Sequence, residues 1–548
     1  MLPYPYLPNR DTDLETRRKY LATRRASYEI TQEYVPPVPM LKTVPWMEDF
    51  SLGYWRRRLS SIARLPANMV RAWWNNHRHP LARPDDYLEL FNGLTAPSLA
   101  DRYRADTFFA EQRLSGSNPL SIRRLRALPE EFPVTDVHLA RAVGAGARLE
   151  AALDEGRLFM LDFPGLLRMG GGSVDGRRKY MPKSRALFCW RPGGHPQGGE
   201  LRTVGILVKN IADEAGVLYT PDDAPADWLL AKLSIQVADG NHQELAVHFA
   251  HCHAAMAPFA IVTNRQLSVR HPVYQLLEPH FRFMLYDNKL GLDYFLNPGG
   301  PVERFMAGTL GESLDFVRDV YKDWSLTDVE LPMDLQLRGM DDAESLPHYP
   351  FRDDGLPIWR AIERFVRAYL ALYYKTPQDL AQDPELQSWA RELTDPKQGA
   401  VRGMPSKIET VDQLVRAITS VIFTCGPKHS ALNYAQWDYM GVIPCVPYAS
   451  YCPVPLQKGA DLKKVMEFLP PYRLAAEQLM WTEMLTSYRH DRLGHYGREF
   501  PDPQAQELTI QFQHDLDQIE QEIQARNRTR MNPYEYMRPS LIINSINT

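Results

Sequence analysis

Apolar residues recur every three to four positions through much of the second half of the chain, which is the pattern of amphipathic helices. Between polar or proline-containing breaks, this period predicts helices at 228–249, 313–324, 359–374, 384–393, 410–423, 474–486 and 504–526. No segment repeats another. The periodicity therefore predicts a mainly α body rather than an array of helical repeats.

A different period appears in residues 156–212. The short runs LFMLDF, ALFCW and TVGILVKN are strand-like, and the glycine-rich loops GGGSVDG and PGGHPQGG separate them. Such runs predict a small antiparallel β subdomain inside the helical body. The glycine loops lack the flanking strand, helix and lysine of phosphate-binding loops, so we do not expect phosphate binding there.

The first 100 residues differ in composition from the rest. After a charged, helix-prone segment and the proline-rich YVPPVPML, residues 46–79 carry six arginines against two acidic residues, with Pro66 as a break. The apolar residues of this stretch recur at helical spacing, at Trp55, Leu59, Ile62, Met69 and Trp73. Two interpretations stay open: the apolar face packs on the core, or it rests on an anionic membrane and collects lipid substrate.

The bulk properties are those of a soluble globular protein. Of the 548 residues, 44% are apolar and 24% are charged, and the net charge of −4 argues against nucleic-acid binding. The chain does not start with a secretory signal pattern, and no apolar run reaches membrane-spanning length. We therefore expect a cytoplasmic protein, with peripheral membrane contact through residues 46–79 as the alternative. Five cysteines without CxxC spacing indicate reduced thiols.

Six histidines lie within residues 241–286, and they could be core residues, general bases or metal ligands. In a regular helix, residues three or four apart share a face, so His248 would pair with His251. His248 and His253 are five apart, which places them about 140° out of register. They converge only if the helix widens locally to i→i+5 bonding, as in a π-bulge.

A second group, His429 and Asn433 in CGPKHSALNYAQ, has i,i+4 spacing and needs no such device. Neutral imidazoles with a weak amide oxygen suit a redox-active first-row metal with open positions, whereas a closed zinc site usually takes four strong ligands. From the residues alone, any one of these histidines could equally be structural.

These residues lie in longer segments that resemble the lipoxygenase family. The resemblance is carried by HCHAAMAPFAIVTNRQLSVRHPVYQLLEPHFR, DTFFAEQRLSGSNP, RLFMLDF, DWLLAK, VYKDWSLTDVELPMDLQLRGM, YPFRDDGLPIWRAIERFVRAYLALYY, GPKHSALNYAQ and the C-terminal INSINT. It covers about residues 101–548 and implies a lipoxygenase-type helical catalytic domain there, after an N-terminal extension at 1–100. Because that extension is helical and proline-rich, the chain is similar to compact bacterial, cyanobacterial-like lipoxygenases without the N-terminal β-sandwich.

The resemblance implies five metal ligands. The family's histidines fall on His248, His253 and His429, its weak asparagine ligand on Asn433, and its terminal carboxylate on Thr548. The family usually ends in isoleucine and this chain in threonine, although any last residue offers a main-chain carboxylate. The implied cofactor is non-haem iron, with manganese as the alternative because both metals use this ligand set.

Three further side chains are expected to surround the ligands. The family motif HQLxxH reads QELAVH here, which places Gln243 and Glu244 before the first ligand, and Gln436 keeps the family's glutamine. Such neighbours orient the ligands and tune the metal. Val446 stands where plant enzymes often carry an arginine for the fatty-acid carboxylate, so either head-group recognition differs or the substrate enters tail first.

The implied reaction is dioxygenation of a polyunsaturated fatty acid, linoleate or linolenate, by bis-allylic hydrogen abstraction and insertion of O2. The family position that governs product chirality falls on Gly291, where glycine accompanies R products because it leaves open the space that a methyl group would fill. We therefore expect an R-hydroperoxide, at carbon 9 of linoleate, with a glycine kept for backbone reasons as the alternative. Phe249 and Leu290 are expected to line the substrate channel, although core packing would also explain them.

Three other functions stay open on the sequence. A hydroperoxide isomerase would use the same scaffold. A zinc hydrolase would use the clustered histidines with Glu244 as base, but the sequence lacks HExxH. A non-catalytic lipid-binding protein would bind fatty acid without consuming oxygen. For the enzyme, we expect a monomer whose partners are fatty acid and O2.

Overall fold

Helices dominate the computed structural model, which describes residues 3–211, 215–496 and 499–548. In the described part of the chain the α-helices are α1 (Leu14–Ser27), α2 (Leu52–Ser61), α3 (Leu65–Arg78), α4 (Asp106–Ser115), α5 (Asp136–Val143), α6 (Leu149–Asp154), α7 (Pro225–His242), α8 (Ala255–Gln266), α9 (Pro272–Leu277), α10 (Met284–Leu290), α11 (Pro301–Phe305), α12 (Leu310–Asp323), α13 (Leu331–Arg338), α14 (Pro350–Tyr373), α15 (Pro377–Ala381), α16 (Pro384–Thr394), α17 (Val411–Phe423), α18 (His429–Met440), α19 (Leu462–Phe468), α20 (Tyr472–Thr486) and α21 (Pro503–Asn527). Three π-helices interrupt or extend them: π1 (Gln243–Ala254), π2 (Gly291–Phe295) and π3 (Thr424–Lys428).

All seven helices predicted from periodicity are present, most with ends shifted by one to three residues. The largest difference between a predicted and an observed helix start is in α14, which was predicted to begin at 359 and begins at Pro350. The helix accommodates Pro357 in its interior. A proline in a helix interior costs about 3 kcal/mol, and the buried apolar face of this 24-residue helix offsets that cost. The prediction for 228–249 was wrong at its end, because α7 stops at His242 and π1 continues the helix.

Strands are few and antiparallel, and in the described residues they are β1 (Ile30–Thr31), β2 (Met40–Leu41), β3 (Arg123–Arg124), β4 (Leu158–Leu161), β5 (Ser173–Val174), β6 (Arg177–Arg178), β7 (Lys183–Pro192), β8 (Gly199–Lys209) and β9 (Val217–Tyr219). Five of them form one sheet in the order β3-β4-β7-β8-β9. The predicted antiparallel subdomain is confirmed, and its sheet extends beyond 156–212 through β3 and β9.

The two faces of this sheet pack on different neighbours. Phe159 of β4 and Phe188 of β7 belong to the main core, whereas Leu158 and Leu187, one position away on each strand, belong to a smaller cluster under α5 and α6. This alternation is the period-2 geometry of a strand. The sheet is therefore buried on both sides and is part of the helical body.

The N-terminal residues pack on the same body. Leu7, Tyr28 and Tyr87 are members of the main core, and the buried Arg17 of α1 forms ion pairs with Asp11 and with Glu385 of α16. Among the described residues before 95, the strands are only the short pair β1 and β2, so this part of the structure holds no β-sandwich.

Residues 46–79 form two helices, α2 and α3, with the break just before Pro66 as predicted. Their apolar positions do not all pack on the core. Tyr54 and Leu65 are buried, whereas Leu59 and Trp73 are more than half exposed. The interpretation that this face simply packs on the core therefore holds for only part of it.

The core of the fold contains one uninterrupted helical run, Pro225–Gln266, made of α7, π1 and α8. By length and composition it is apolar enough to cross a membrane, contrary to the expectation from the sequence, but 83% of its most apolar window is buried inside the fold. Such burial is typical of the central helix of a globular domain. This run carries most of the histidine-rich stretch.

Candidate metal centre

Two interrupted helices bring three histidines together. One passes from α7 through π1 into α8, and the other passes from α17 through π3 into α18. In π1, i→i+5 bonding places His248 and His253 on one side, as their spacing required. In π3, Pro427 lies two residues before His429. Because proline lacks an N–H and crowds the preceding turn, it favours a local change from regular α-helical bonding to π-helical bonding.

The three imidazoles form a triangle of nitrogen atoms. The Nε2 atom of His248 lies 3.2 Å from that of His429 and 3.3 Å from that of His253, and the third side is 3.2 Å. All three rings are buried. Burial and the neighbouring imidazoles lower the pKa of His253 to about 3 and that of His429 well below its usual value. These two rings are therefore neutral at physiological pH, which is the protonation state that metal binding requires.

The ring of His248 is held on its outer side by side chains of both helices. Its Nδ1 atom lies 3.1 Å from Oε2 of Glu244, whose other oxygen accepts a hydrogen bond of 3.0 Å from the Tyr448 hydroxyl. The amide of Gln436 lies 3.2 Å from the same Nδ1. A proton on Nδ1 shared with Glu244 leaves the lone pair of Nε2 free to face the centre of the triangle.

The ring of His253 has a different neighbour. Its Nδ1 atom lies 3.0 Å from Oδ1 of Asn288, and Nδ2 of the same asparagine donates to the His253 carbonyl at 3.2 Å. The carboxylate of Asp287 lies 3.9 Å from this Nδ1. Burial raises the pKa of Asp287 to about 6. An amide oxygen can only accept a hydrogen bond, so the contact with Oδ1 of Asn288 places the proton of the His253 ring on Nδ1 and the lone pair on Nε2.

Asn433 and the chain terminus meet at one main-chain carbonyl. Leu485 is the second-to-last residue of α20, so its oxygen has no partner within the helix. It accepts hydrogen bonds from Nδ2 of Asn433 at 2.9 Å and from Oγ1 of Thr548 at 2.6 Å. Oδ1 of Asn433 is buried and has no hydrogen-bond partner.

This donor set fits a metal ion. A buried polar atom without a partner costs about 1–3 kcal/mol, and a cation beside Oδ1 of Asn433 would remove that cost. Among the described residues, His248, His253 and His429 form a group whose ligand atoms lie within 4.8 Å of one another. Three imidazoles, one amide oxygen and a nearby terminal carboxylate suit a first-row metal that keeps an exchangeable position.

The other histidines of the central stretch lie outside the triangle. His251, which simple helical spacing favoured, is not in the three-histidine group, and burial together with the charge of Lys428 lowers its pKa. The remaining three have non-metal partners: the Ser121 hydroxyl at 3.1 Å for His242, the Asp383 carboxylate at 2.9 Å for His271, and the Asn544 carbonyl at 2.9 Å for His280.

Gly291 begins π2 with helical backbone angles, φ −57° and ψ −45°. Any residue adopts this conformation, so the alternative that glycine is kept for backbone reasons does not hold. A Cβ atom built on Gly291 would meet no heavy atom within 4 Å. The position therefore borders open space.

The remaining predicted residues have mixed surroundings. The ring of Phe249 stacks 6.3 Å from that of His253, beside the triangle. Leu290 is half-buried against the aromatic cluster of Phe50 and its neighbours. The amide of Gln243 donates at 3.1 Å to the Leu432 carbonyl, and this hydrogen bond joins π1 to α18.

Sequence reasoning missed several residues that contact the site. Asn288, Asp287 and Tyr448 belong to segments with no motif of their own. Asp287 and Asn288 reach His253 from 34 and 35 positions away in the chain, and Tyr448 reaches Glu244 from 204 positions away. Asp287 and Asn288 directly follow the histidine-rich segment 241–286, but nothing in their spacing marked them as partners of His253.

Comparison with known proteins gives one consistent family. The family model described as Lipoxygenase matches residues 95–534. The chain is 34% identical over 454 residues to the Homo sapiens polyunsaturated fatty acid lipoxygenase ALOX15B, covering 81% of this chain. It is 32% identical over 475 residues to the Rattus norvegicus hydroperoxide isomerase ALOXE3, covering 85%. The crystal structure of coral 8R-lipoxygenase superimposes with a TM-score of 0.89 at 28% identity, covering all of this chain and 83% of the coral one.

The matched proteins are longer than this chain. It spans 66% of the length of the human relative and 65% of the rat one, just under two thirds. Residues 95–534, which the family model matches, contain both interrupted helices and the triangle of histidines.

Proposed function

The chain belongs to the lipoxygenase family, and from that premise we propose that it is a dioxygenase of polyunsaturated fatty acids such as linoleate and linolenate. The observation that carries the proposal is the triangle of buried Nε2 atoms, together with the unpartnered Oδ1 of Asn433 one turn after His429 on α18. We propose non-haem iron as the cofactor, with manganese as the alternative, because this donor set suits either metal.

Each residue of the centre has a role in this proposal. The bound metal supplies one-electron redox chemistry that protein side chains lack. His248, His253 and His429 would hold it with neutral nitrogens, and Asn433 and the carboxylate of Thr548 would complete the set with oxygens. Burial of the three rings excludes water, and it keeps His253 and His429 unprotonated by lowering the pKa of each. Because an amide oxygen is a weak ligand, Asn433 would leave the bound metal with an exchangeable position.

We propose that the product is an R-hydroperoxide, formed at carbon 9 of linoleate. The proposal is supported by the open space around Gly291, which gives oxygen access to one end of the pentadienyl radical. Phe249 directly follows His248 in the chain, and Leu290 directly precedes Gly291. Both side chains would line the substrate channel. The fold of the coral 8R-lipoxygenase, which matches the whole chain, is consistent with an R product.

A hydroperoxide isomerase is the second candidate, because a relative with that name is 32% identical over most of this chain. Both activities would use the same triangle of histidines. They differ in what is consumed, since an isomerase transforms an added fatty-acid hydroperoxide without taking up oxygen.

We further propose that the protein is cytoplasmic and docks on anionic membranes through α2 and α3. Six large apolar side chains of residues 46–74 are more than half exposed, which is costly on a surface that faces only water: Trp46, Leu52, Leu59, Val70, Trp73 and Trp74. The arginines between them suit anionic lipid headgroups. Lipid substrate would then be delivered close to the body of the enzyme.

The experiment that tests the main proposal is product analysis with the metal-loaded protein. Incubation with linoleate is expected to consume oxygen and to give a hydroperoxide that chiral chromatography identifies as R. Metal analysis with electron paramagnetic resonance is expected to find iron or manganese. Bound zinc with ester hydrolysis would contradict the proposal, as would fatty-acid binding without oxygen consumption. Isomerisation of added hydroperoxide without oxygen uptake would favour the second candidate.

A further inference from the structure

The last two residues of the chain are each held by a hydrogen bond that involves a side-chain hydroxyl. The main-chain carbonyl of Asn547 accepts a hydrogen bond from the hydroxyl of Tyr54 in α2, and the hydroxyl of Thr548 donates one to the Leu485 carbonyl. Tyr54 and Thr548 both lie outside residues 95–534, which the family model matches. Chain termini are usually mobile unless they are tied down, so these two contacts decide where the terminal carboxylate lies.

The first contact comes from the N-terminal extension. The Tyr54 hydroxyl donates to the main-chain carbonyl of Asn547, directly before the terminal residue. Arg58, one turn along α2, donates to the same hydroxyl at 3.0 Å. The ring of Tyr54 is fully buried, with Phe50 at 4.1 Å and Phe283 at 5.1 Å between ring centroids. The tyrosine is therefore rigid, and its hydroxyl is a fixed donor.

The second contact links the terminus to the proposed amide ligand. The Leu485 carbonyl accepts from both Oγ1 of Thr548 and Nδ2 of Asn433. One oxygen atom therefore fixes the terminal residue and the amide relative to each other. A terminal residue without a side-chain hydroxyl could not make this bond.

We propose that Tyr54 and the Thr548 hydroxyl are positioning residues, which together hold the terminal carboxylate in place for the metal centre. The hydroxyl of Tyr54 fixes the peptide before the last residue, and the hydroxyl of Thr548 fixes the last residue itself. The proposal rests on the proposed metal site. It adds that α2, the helix with the exposed apolar face, also sets the geometry of one ligand.

Two pairs of variants test this proposal. Thr548→Val removes the hydroxyl with almost no change of shape, and Thr548→Ser keeps it. Tyr54→Phe removes the donor, and its matched control is Tyr87→Phe, because Tyr87 is also buried and donates to a main-chain carbonyl, that of Pro470. Thr548→Val keeps the test decisive even if Tyr54→Phe does not fold.

The readouts are the rate of iron loss to a chelator, the electron paramagnetic resonance spectrum of the ferric protein, and the Tm of the metal-free protein. Thr548→Val and Tyr54→Phe are expected to lose iron about tenfold faster and to shift the spectrum, since partners of metal ligands affect affinity by about 10–100-fold. Thr548→Ser and Tyr87→Phe are expected to match the wild type in the rate of iron loss and in the spectrum. The Tm of metal-free Tyr54→Phe and Tyr87→Phe should fall alike.

The outcomes separate this proposal from the proposed activity. Iron loss and spectra of Thr548→Val and Tyr54→Phe equal to those of the wild type would overturn the positioning role, whatever the oxygen uptake. Shifted spectra in these two variants, with no oxygen uptake by the iron-loaded wild type, would support the positioning role and overturn the dioxygenase. A wild type that binds neither iron nor manganese would overturn both.

Discussion

At the scale of single residues, the assignment of the central histidines depends on one backbone feature. Regular helical spacing favours His251 as the partner of His248, and the family resemblance selects His253 instead. The structure resolves the difference, because π1 turns positions five apart to the same side. The resemblance located the residues, and the π-helix explains why they meet.

Substitution of single histidines tests this assignment. His253→Gln is expected to lower the iron content more than tenfold, because outer partners alone already change affinity by about 10–100-fold and a ligand contributes more. His251→Gln, which is also in π1, is expected to retain iron. Metal analysis after chelator dialysis provides the measurement. Loss of iron in His251→Gln with retention in His253→Gln would contradict the assignment.

Gly291 allows a second test at this scale. Gly291→Ala adds a methyl group that meets no protein atom within 4 Å, so it points into the space proposed for oxygen. The major product is expected to change from R to S at the other end of the pentadiene, as measured by chiral chromatography. Gly311→Ala is the control, since it is also a helical glycine with room for a methyl group. An unchanged product profile in Gly291→Ala would refute this role.

Other residues at the site could not be predicted from the sequence for a physical reason. Asn288 contacts His253 across 35 positions, and Tyr448 reaches Glu244 across 204. Such contacts depend on how helices pack, and local spacing carries no record of that. Tyr54 is the extreme case, because 493 positions separate it from Asn547.

At the scale of elements, the hydrophobic period predicted the helices because a helix of this fold buries one continuous face. It failed where a proline is accommodated, as in α14, and where hydrogen bonding changes to i→i+5, as in π1. Neither event changes the apolar pattern, so neither leaves a signal in it. The antiparallel sheet was predictable because its main runs are β-rich and are separated by glycine-rich loops.

The helices α2 and α3 give a prediction at this scale. Replacing both Trp73 and Trp74 by Ser removes two half-exposed indoles. On the order of 100 Å² of apolar area lost from a membrane contact weakens binding by about 2.5 kcal/mol. Sedimentation with anionic vesicles is expected to show at least tenfold weaker binding, and raised salt should weaken the wild type further. Val137→Ser, at an exposed apolar position on α5, is the control. Equal vesicle binding by the wild type, the double tryptophan variant and the control would contradict docking through α2 and α3.

At the scale of the whole molecule, the N-terminal residues are not a separate body. The sequence divided the chain near residue 100 by composition, whereas the main core includes residues from both sides of that position. The buried Arg17 is one reason, because it bridges Asp11 and Glu385 with bonds of 2.9 Å and 2.5 Å. Composition alone could not predict this, since the partners are 368 positions apart.

Arg17→Met tests how much this contact contributes. The change leaves the buried carboxylate of Glu385 without its cation, which costs about 3–5 kcal/mol, whereas Asp11 keeps its ion pair with Arg270. Denaturant-induced unfolding is expected to show that loss. Lys19→Met on the same helix removes only the exposed i,i+4 pair with Glu15, which contributes about 0.3–0.5 kcal/mol. Equal stability of the two variants would show that the extension is not anchored through Arg17.

The central claim is that the triangle of His248, His253 and His429 supports oxygenation of a fatty acid. The most direct measurement is the ratio of oxygen consumed to linoleate consumed by iron-loaded protein, with identification of the product. We predict one molecule of oxygen for each molecule of linoleate and a hydroperoxide as the only major product. Protein with one bound iron per chain that consumes linoleate without oxygen, or consumes neither, would contradict the claim.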